Sequence, residues 1–124
     1  MEDIILEGTK ELPAVSFHTD GKLSMEGHSY PEHADKFYMP MIKFLSELTC
    51  PDVVFSINIE YMNTSSIKFL LNMFRTIENN SHINTVLVRW HYDEDDDEIL
   101  EQGEMFEEIL DKCKFEFKEN MLAA

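Results

Sequence analysis

The sequence has few of the residues on which common catalytic and cofactor-binding motifs depend. Its 124 residues include only four glycines and two cysteines. The glycines form neither a P-loop nor a dinucleotide-binding fingerprint, and the cysteines lie far apart without metal-ligand spacing. No serine lies in the G-x-S-x-G turn of many hydrolases. These absences argue against an enzyme, and we expect neither catalytic activity nor a bound cofactor.

Positive charge and long apolar runs are also scarce. Lysine and arginine total 10 against 25 acidic residues, which gives a formal net charge of -15. Such a chain repels nucleic acid and anionic membranes, so its expected partners are proteins with basic surfaces, or cations. No apolar run approaches the roughly 20 residues of a membrane span, and the acidic N-terminus lacks signal-peptide features. We therefore expect a cytoplasmic protein with reduced cysteines.

Hydrophobic periodicity predicts the elements of the first half of the chain. Alternation on both sides of Asp20-Gly21 predicts a β-hairpin over residues 13–27. Helical spacing follows from about Pro31 to Thr49, with Pro40 either kinking the helix or lying in its first turn. The inner stripe of this helix is formed by Phe37, Met41, Phe44, Leu45 and Leu48.

For the second half of the chain, the periodicity predicts a strand, a helix, a strand, a helix and a short final strand. "DVVFSINIEYM" alternates with Phe55, Ile57, Ile59 and Tyr61 on the inner face. A helix over Thr64 to about Asn79 and the strand "TVLVRWHY" follow. A last helix is predicted to place Ile99, Leu100, Gly103, Phe106, Ile109, Leu110 and Cys113 on one side, before a strand near Phe115.

This order predicts an α/β fold formed by one domain over residues 1–124. The strand–helix–strand unit favours parallel pairing with a right-handed crossover, whereas the hairpin adds antiparallel strands. We therefore expect a mixed β-sheet that starts with a β-hairpin and carries about three helices, packed mainly on one face.

Six consecutive acidic residues, Asp93 to Glu98, precede the last helix. Oxygen-rich clusters suit Ca²⁺ or Mg²⁺, so one hypothesis is a small metal-binding protein or metal-dependent enzyme that uses segment 91–98. The run lacks the EF-hand pattern, however, and acids at a helix N-terminus are favourable to the helix dipole. A solvated acidic loop that caps the next helix therefore explains the run better than a metal site, and the run could also be a docking patch for a basic partner.

Four small polar residues, Asn63 to Ser66, occupy the junction between a predicted strand and a predicted helix. One such residue is enough to cap a helix, so the cluster exceeds the structural need. A helix N-terminus also favours bound phosphate. The pattern therefore allows a phosphorylated hydroxyl at this junction but does not choose among the three.

Four blocks of the sequence, spread over nearly the whole chain, resemble the SiaC family of bacterial regulatory phosphoproteins. They are "GTKELPAV", "GKLSMEGHSYPE", "YMNTSSIKFLLNMF" and "VRWHYDEDDDE". The resemblance implies a fold similar to the STAS domains of anti-sigma-factor antagonists and a switch protein without enzymatic activity. It also implies that the phosphoacceptor is the threonine of the "NTSS" block, here Thr64.

The resemblance further implies the partners of the switch. A kinase of the anti-sigma-factor type adds the phosphate and a PP2C-type phosphatase removes it. The unphosphorylated form binds and activates a diguanylate cyclase, which raises cyclic di-GMP and favours aggregation and biofilm. The residues expected near the partner surface are Tyr61, Asn63, Ser65 and Ser66 at the junction, with Arg89 and His91 on the neighbouring strand.

Overall fold

Six strands and three helices alternate along the chain in the computed structural model, which describes residues 1–121. The strands are β1 (Ile4–Leu6), β2 (Ala14–Phe17), β3 (Lys22–Ser29), β4 (Asp52–Met62), β5 (Thr85–Asp93) and β6 (Cys113–Asn120). The helices are α1 (Ala34–Glu47), α2 (Thr64–Asn79) and α3 (Asp97–Ile109). The prediction of a mixed α/β fold with three helices is confirmed.

The strands lie in the sheet in the same order as in the sequence, from β1 to β6. β1, β2 and β3 pair antiparallel, whereas β3, β4, β5 and β6 pair in parallel. Each parallel connection moves one strand in the same direction, so right-handed crossovers place all three helices on one face. Within residues 1–121 no helix lies on the opposite face of the sheet, and we call it the open face.

Aromatic side chains fill the space between the sheet and the helices. Phe17 and Phe55 meet edge to face with ring centroids 5.4 Å apart, and Phe74 contacts Phe106 in the same way at 5.2 Å. Trp90 is 1% exposed and its indole N–H donates to the carbonyl of Ile99 at 2.9 Å. The regular alternation of apolar residues in β4 and β5 therefore serves one continuous core.

The predicted hairpin forms between β2 and β3, but its turn differs from the two-residue turn expected from Asp20-Gly21. His18 and Lys22 close a three-residue loop, and the N–H of Gly21 donates to the carbonyl of His18 at 3.0 Å. Within this loop only Gly21 has a positive φ, at 96°. A type I turn followed by one left-handed glycine needs no positive φ at Asp20, which explains the difference.

Tyr61 lies outside the inner face of β4, contrary to the alternation prediction, and its side chain is 54% exposed. The register between β3 and β4 shifts at this point: Gly27 pairs with Ile59, but His28 pairs with Tyr61. Glu60 is the extra residue of this β-bulge. A bulge interrupts the two-residue period of a strand, so Tyr61 turns to solvent while Met62 packs against the core.

Pro40 lies inside α1, well beyond its first turn, which excludes the first-turn alternative. Three further differences concern the ends of elements. Ile109 is exposed and Cys113 belongs to β6 rather than to the inner side of α3, which ends at Ile109. The edge strand β1 was not predicted because three residues are too few to show alternation. No helix within residues 1–121 has both the length and the apolarity needed to cross a membrane.

Candidate functional site

The junction between β4 and α2 is fixed at Asn63, which links two elements. Its side-chain oxygen Oδ1 accepts a hydrogen bond from the N–H of Ser66 at 2.9 Å, which makes Asn63 the N-cap of α2. Its own N–H donates to the carbonyl of Ser29 at the end of β3, at 3.0 Å. Asn63 therefore performs the capping that sequence alone could not assign among the four polar residues.

Ser66 is fully buried, so the expectation that it contributes to a partner surface is wrong. Its hydroxyl donates to the carbonyl of Ser29 at 2.9 Å and lies 2.7 Å from the Ser29 hydroxyl. Ser29 in turn hydrogen-bonds the hydroxyl of Tyr38 in α1. Burial raises the pKa of Tyr38, so this hydroxyl stays neutral. The network ties β3, α1 and α2 together beneath the junction.

The burial of Ser66 had a signal in the sequence. Ser66 precedes Leu70 by four residues and Phe74 by eight, so it continues the buried stripe of α2 toward the N-terminus. A polar residue on an apolar helical stripe requires a hydrogen-bond partner in the core. Ser29 and Tyr38, which supply those partners, were not identified from the sequence because they lie on other elements.

Replacing Ser66 by alanine should lower the free energy of unfolding by about 1–2 kcal/mol, because a buried hydrogen-bonded hydroxyl is lost. Ser65→Ala is the matched control, since Ser65 is exposed one position earlier in the same helical turn. We expect it to change stability by less than about 0.5 kcal/mol. Urea unfolding measured by circular dichroism compares the two. Equal effects would show that the buried network contributes nothing measurable.

The side chains of Thr64 and Ser65 are exposed, whereas Asn63 and Ser66 have the structural roles described above. Thr64 is the first residue of α2. Within the described chain, no hydrogen bond uses either hydroxyl or the backbone N–H groups of these two residues. The first turn contains no acidic residue. At the junction, exposed hydroxyls therefore lie beside the N–H groups of Thr64 and Ser65, which have no acceptor within the described chain. These groups are at the positive end of the helix dipole.

The exposed ring of Tyr61 and the partly buried rings of Tyr30 and His28 border the junction on the side of β3. The rings of Tyr30 and Tyr61 lie 5.7 Å apart, and His28 lies 6.4 Å from Tyr30. Nε2 of His28 also approaches the Glu60 carboxylate at 3.0 Å. Because exposed tyrosines are enriched at protein interfaces, this border has the composition of a contact surface. The β-bulge at Glu60 is what turns Tyr61 toward solvent.

Arg89 and His91 do not lie at the junction. Both project from the open face of β5, where Nε2 of His91 lies 3.1 Å from the Ser56 hydroxyl and Arg89 pairs in register with Ser56. At roughly 3.3 Å per residue, Ser56 precedes Asn63 along β4 by about 20 Å. This distance separates Arg89 and His91 from Thr64, and contact of either residue with a partner stays a prediction.

The acidic run is divided among three structural roles. Asp93 ends β5 and accepts a hydrogen bond from Asn120 at 3.1 Å. Asp96 is the N-cap of α3, with its side chain accepting from the N–H of Ile99 at 3.1 Å, and Asp97 and Glu98 form the first turn. Over residues 1–121, no three His, Cys, Asp or Glu side chains converge as metal ligands. These contacts favour the helix-capping interpretation.

The sequence and the fold both match one protein family. The family model described as "SiaC family regulatory phosphoprotein" matches residues 6–120. The chain belongs to the SiaC family. An uncharacterized protein of Pseudomonas aeruginosa (strain UCBPP-PA14) is 32% identical over 123 residues, which covers 94% of each chain.

Solved structures of the family share this fold. SiaC of Pseudomonas aeruginosa superposes with a TM-score of 0.79 at 29% identity, covering 98% of this chain and all of that one. A crystal structure of the diguanylate cyclase SiaD in complex with its activator SiaC matches with a TM-score of 0.80 at 28% identity, over 97% of this chain and 100% of the matched chain. That SiaC activates a cyclase by forming a complex with it.

Proposed function

We propose that this SiaC-family protein is a regulatory switch that activates a diguanylate cyclase by binding it, and that phosphorylation of Thr64 turns the switch off. It acts through binding rather than catalysis. A kinase of the anti-sigma-factor type, which supplies ATP and Mg²⁺, adds the phosphate, and a PP2C-type phosphatase removes it. The proposal extends to this chain the role that the comparison structure gives to SiaC of Pseudomonas aeruginosa.

The observation that carries the proposal is that the four polar residues at the junction have different structural roles. Asn63 caps α2 and has no hydroxyl, and Ser66 is buried, so the hydroxyls exposed to a kinase are those of Thr64 and Ser65. Thr64 combines an exposed hydroxyl with the first position of α2, where two free N–H groups can receive a phosphate. Lys68 lies one turn further along the same helix and is exposed. A phosphate at this position is therefore stabilised without any change of fold.

Mass spectrometry of the phosphorylated protein tests the site. We expect a single phosphate on Thr64 after incubation with the kinase of the same organism and ATP. Trypsin cleaves after Lys43 and Lys68, so the junction lies in the peptide of residues 44–68. Fragment ions within it separate Thr64 from Ser65. Phosphate on Ser65 with Thr64 unmodified, or no phosphate at all, would refute the assignment, and Thr64→Ala is the control that should remain unlabelled.

A further inference from the structure

A row of polar side chains crosses the open face of the sheet. Ser16 on β2 pairs with Ser24 on β3, Ser24 pairs with Ser56 on β4, and Ser56 pairs with Arg89 on β5. Residues in register on adjacent strands point to the same face. Three hydroxyls and one guanidinium therefore stand side by side at the centre of a sheet face that no helix covers.

A cavity of about 330 Å³ lies over this row. Lys22 and His18 also line it, and none of the lining residues is acidic. The protein carries 25 acidic residues and only 10 lysines and arginines. A merely solvated surface of this chain would be expected to include carboxylates, so the local excess of positive charge requires another explanation. Concave sites lined by one sign of charge attract ligands of the opposite sign.

Arg89 is exposed and lies more than 4 Å from every carboxylate of residues 1–121. Glu116 is its partner in register on β6, but that carboxylate is held by the ammonium of Lys118 at 2.7 Å. The hydrogen bond from Lys118 lowers the pKa of the Glu116 carboxyl and the Arg89 charge adds to this effect, but no ion pair within residues 1–121 takes up the guanidinium donors. Arginine is the side chain best suited to binding phosphate through two parallel hydrogen bonds.

Two of the three serine hydroxyls lie within hydrogen-bond distance of a histidine. Ser56 contacts His91, as described above, and Ser16 contacts His18. Nε2 of His18 lies 2.9 Å from Ser16, and Nδ1 of the same ring lies 2.9 Å from Asp3. This Asp–His–Ser chain has the connectivity of a hydrolytic triad. However, β2 is paired on both sides, so the sheet uses the backbone N–H groups that an oxyanion site would need. The arrangement suits binding better than nucleophilic catalysis.

We propose that this cavity binds a small phosphate ester of the size of a nucleoside monophosphate. Arg89 and Lys22 supply the charge, and the Ser24 hydroxyl, which has no hydrogen-bond partner within residues 1–121, supplies a further donor between them. The volume lies at the lower end of the roughly 300–1,000 Å³ typical of ligand pockets, which favours a small ligand. This site is separate from Thr64 and does not depend on the proposed phosphorylation.

Titration of the ¹⁵N-labelled protein with guanosine 5′-monophosphate tests the site, with guanosine as the uncharged control. We expect saturable amide shifts at Ser24, Ser56 and Arg89 with the nucleotide and none with guanosine. Arg89→Gln should weaken binding by about tenfold, because a charge-assisted hydrogen-bonded contact is lost. Arg75→Gln is the matched control, since Arg75 is exposed on α2, and it should bind as the wild type does.

Two results would overturn the site. One is the absence of saturable shifts with the nucleotide. The other is a set of shifts scattered over exposed lysines and unchanged in Arg89→Gln, which indicates general counter-ion binding. Inorganic phosphate and adenosine 5′-monophosphate as further probes show whether the base contributes. Thr64→Ala should bind the nucleotide normally, so failure of the phosphorylation switch and failure of this site are distinguishable.

Discussion

Phosphorylation of Thr64 is expected to weaken binding of the diguanylate cyclase by about 100-fold or more. The unmodified junction offers free N–H groups at the start of α2, next to exposed Tyr61. A partner group that docks on a helix N-terminus is a hydrogen-bond acceptor, because the helix end supplies donors. A phosphate on Thr64 takes up those donors and adds about -1.5 to -2 of charge. The phosphate then repels the partner's negatively polarised acceptor group, and such like-charge contact at an interface costs several kcal/mol of binding free energy.

Cyclic di-GMP synthesis by the cyclase, measured with each form of the protein, tests this expectation. The phosphorylated protein should fail to activate at concentrations where the unmodified protein saturates. Thr64→Ala should still activate, because Asn63 caps the helix and the threonine hydroxyl has no structural partner within the described chain. Loss of activation by Thr64→Ala would show that the hydroxyl itself belongs to the interface.

A glutamate placed far from the junction tests whether the position of the added charge matters. Thr49 is exposed just before the start of β4, at the opposite end of that strand from Thr64. Thr49→Glu should activate the cyclase normally, whereas Thr64→Glu should weaken activation, although less than a phosphate does because glutamate carries a smaller charge. If the two glutamate variants behaved alike, general repulsion from a protein of net charge -15 would explain the effect.

The regular elements of the fold could be predicted because burial on one face imposes a period on the sequence. β4, β5 and α2 show that period over many residues, so their existence and inner faces were predicted well. β1 has three residues and an exposed edge position, so it carries no period to detect. Tyr61 was misplaced because a β-bulge leaves the local alternation of residue types unchanged while it redirects the side chains.

The sequence could indicate the start of α2 at positions 63–66 but not the structural role of each residue there. The residue types at positions 63–66 indicate a helix start, and the family resemblance indicates a phosphorylated threonine. Which hydroxyl is buried depends on Ser29 and Tyr38, which only the folded chain brings to Ser66. The positions of Arg89 and His91 also depend on the folded chain. The sequence predicts that they share one face of a strand, but only the topology shows that this face lies away from the helices.

The core of α3 depends on the absence of a side chain at Gly103, and Gly103→Val should destabilise the protein by about 3 kcal/mol or more. A Cβ at this position would lie 2.5 Å from Nε1 of Trp90 and 2.6 Å from its Cδ1. The indole is unable to move away, because it packs against Phe106 and its N–H is bonded to the carbonyl of Ile99. Glu104→Val introduces the same side chain at the next, exposed position of α3 and should cost only about 0.5 kcal/mol of helix propensity. Urea unfolding followed by the fluorescence of Trp90, the single tryptophan, measures both variants. Equal midpoints for the two would mean that the contact between α3 and β5 tolerates added volume, and that close packing at Gly103 does not limit stability.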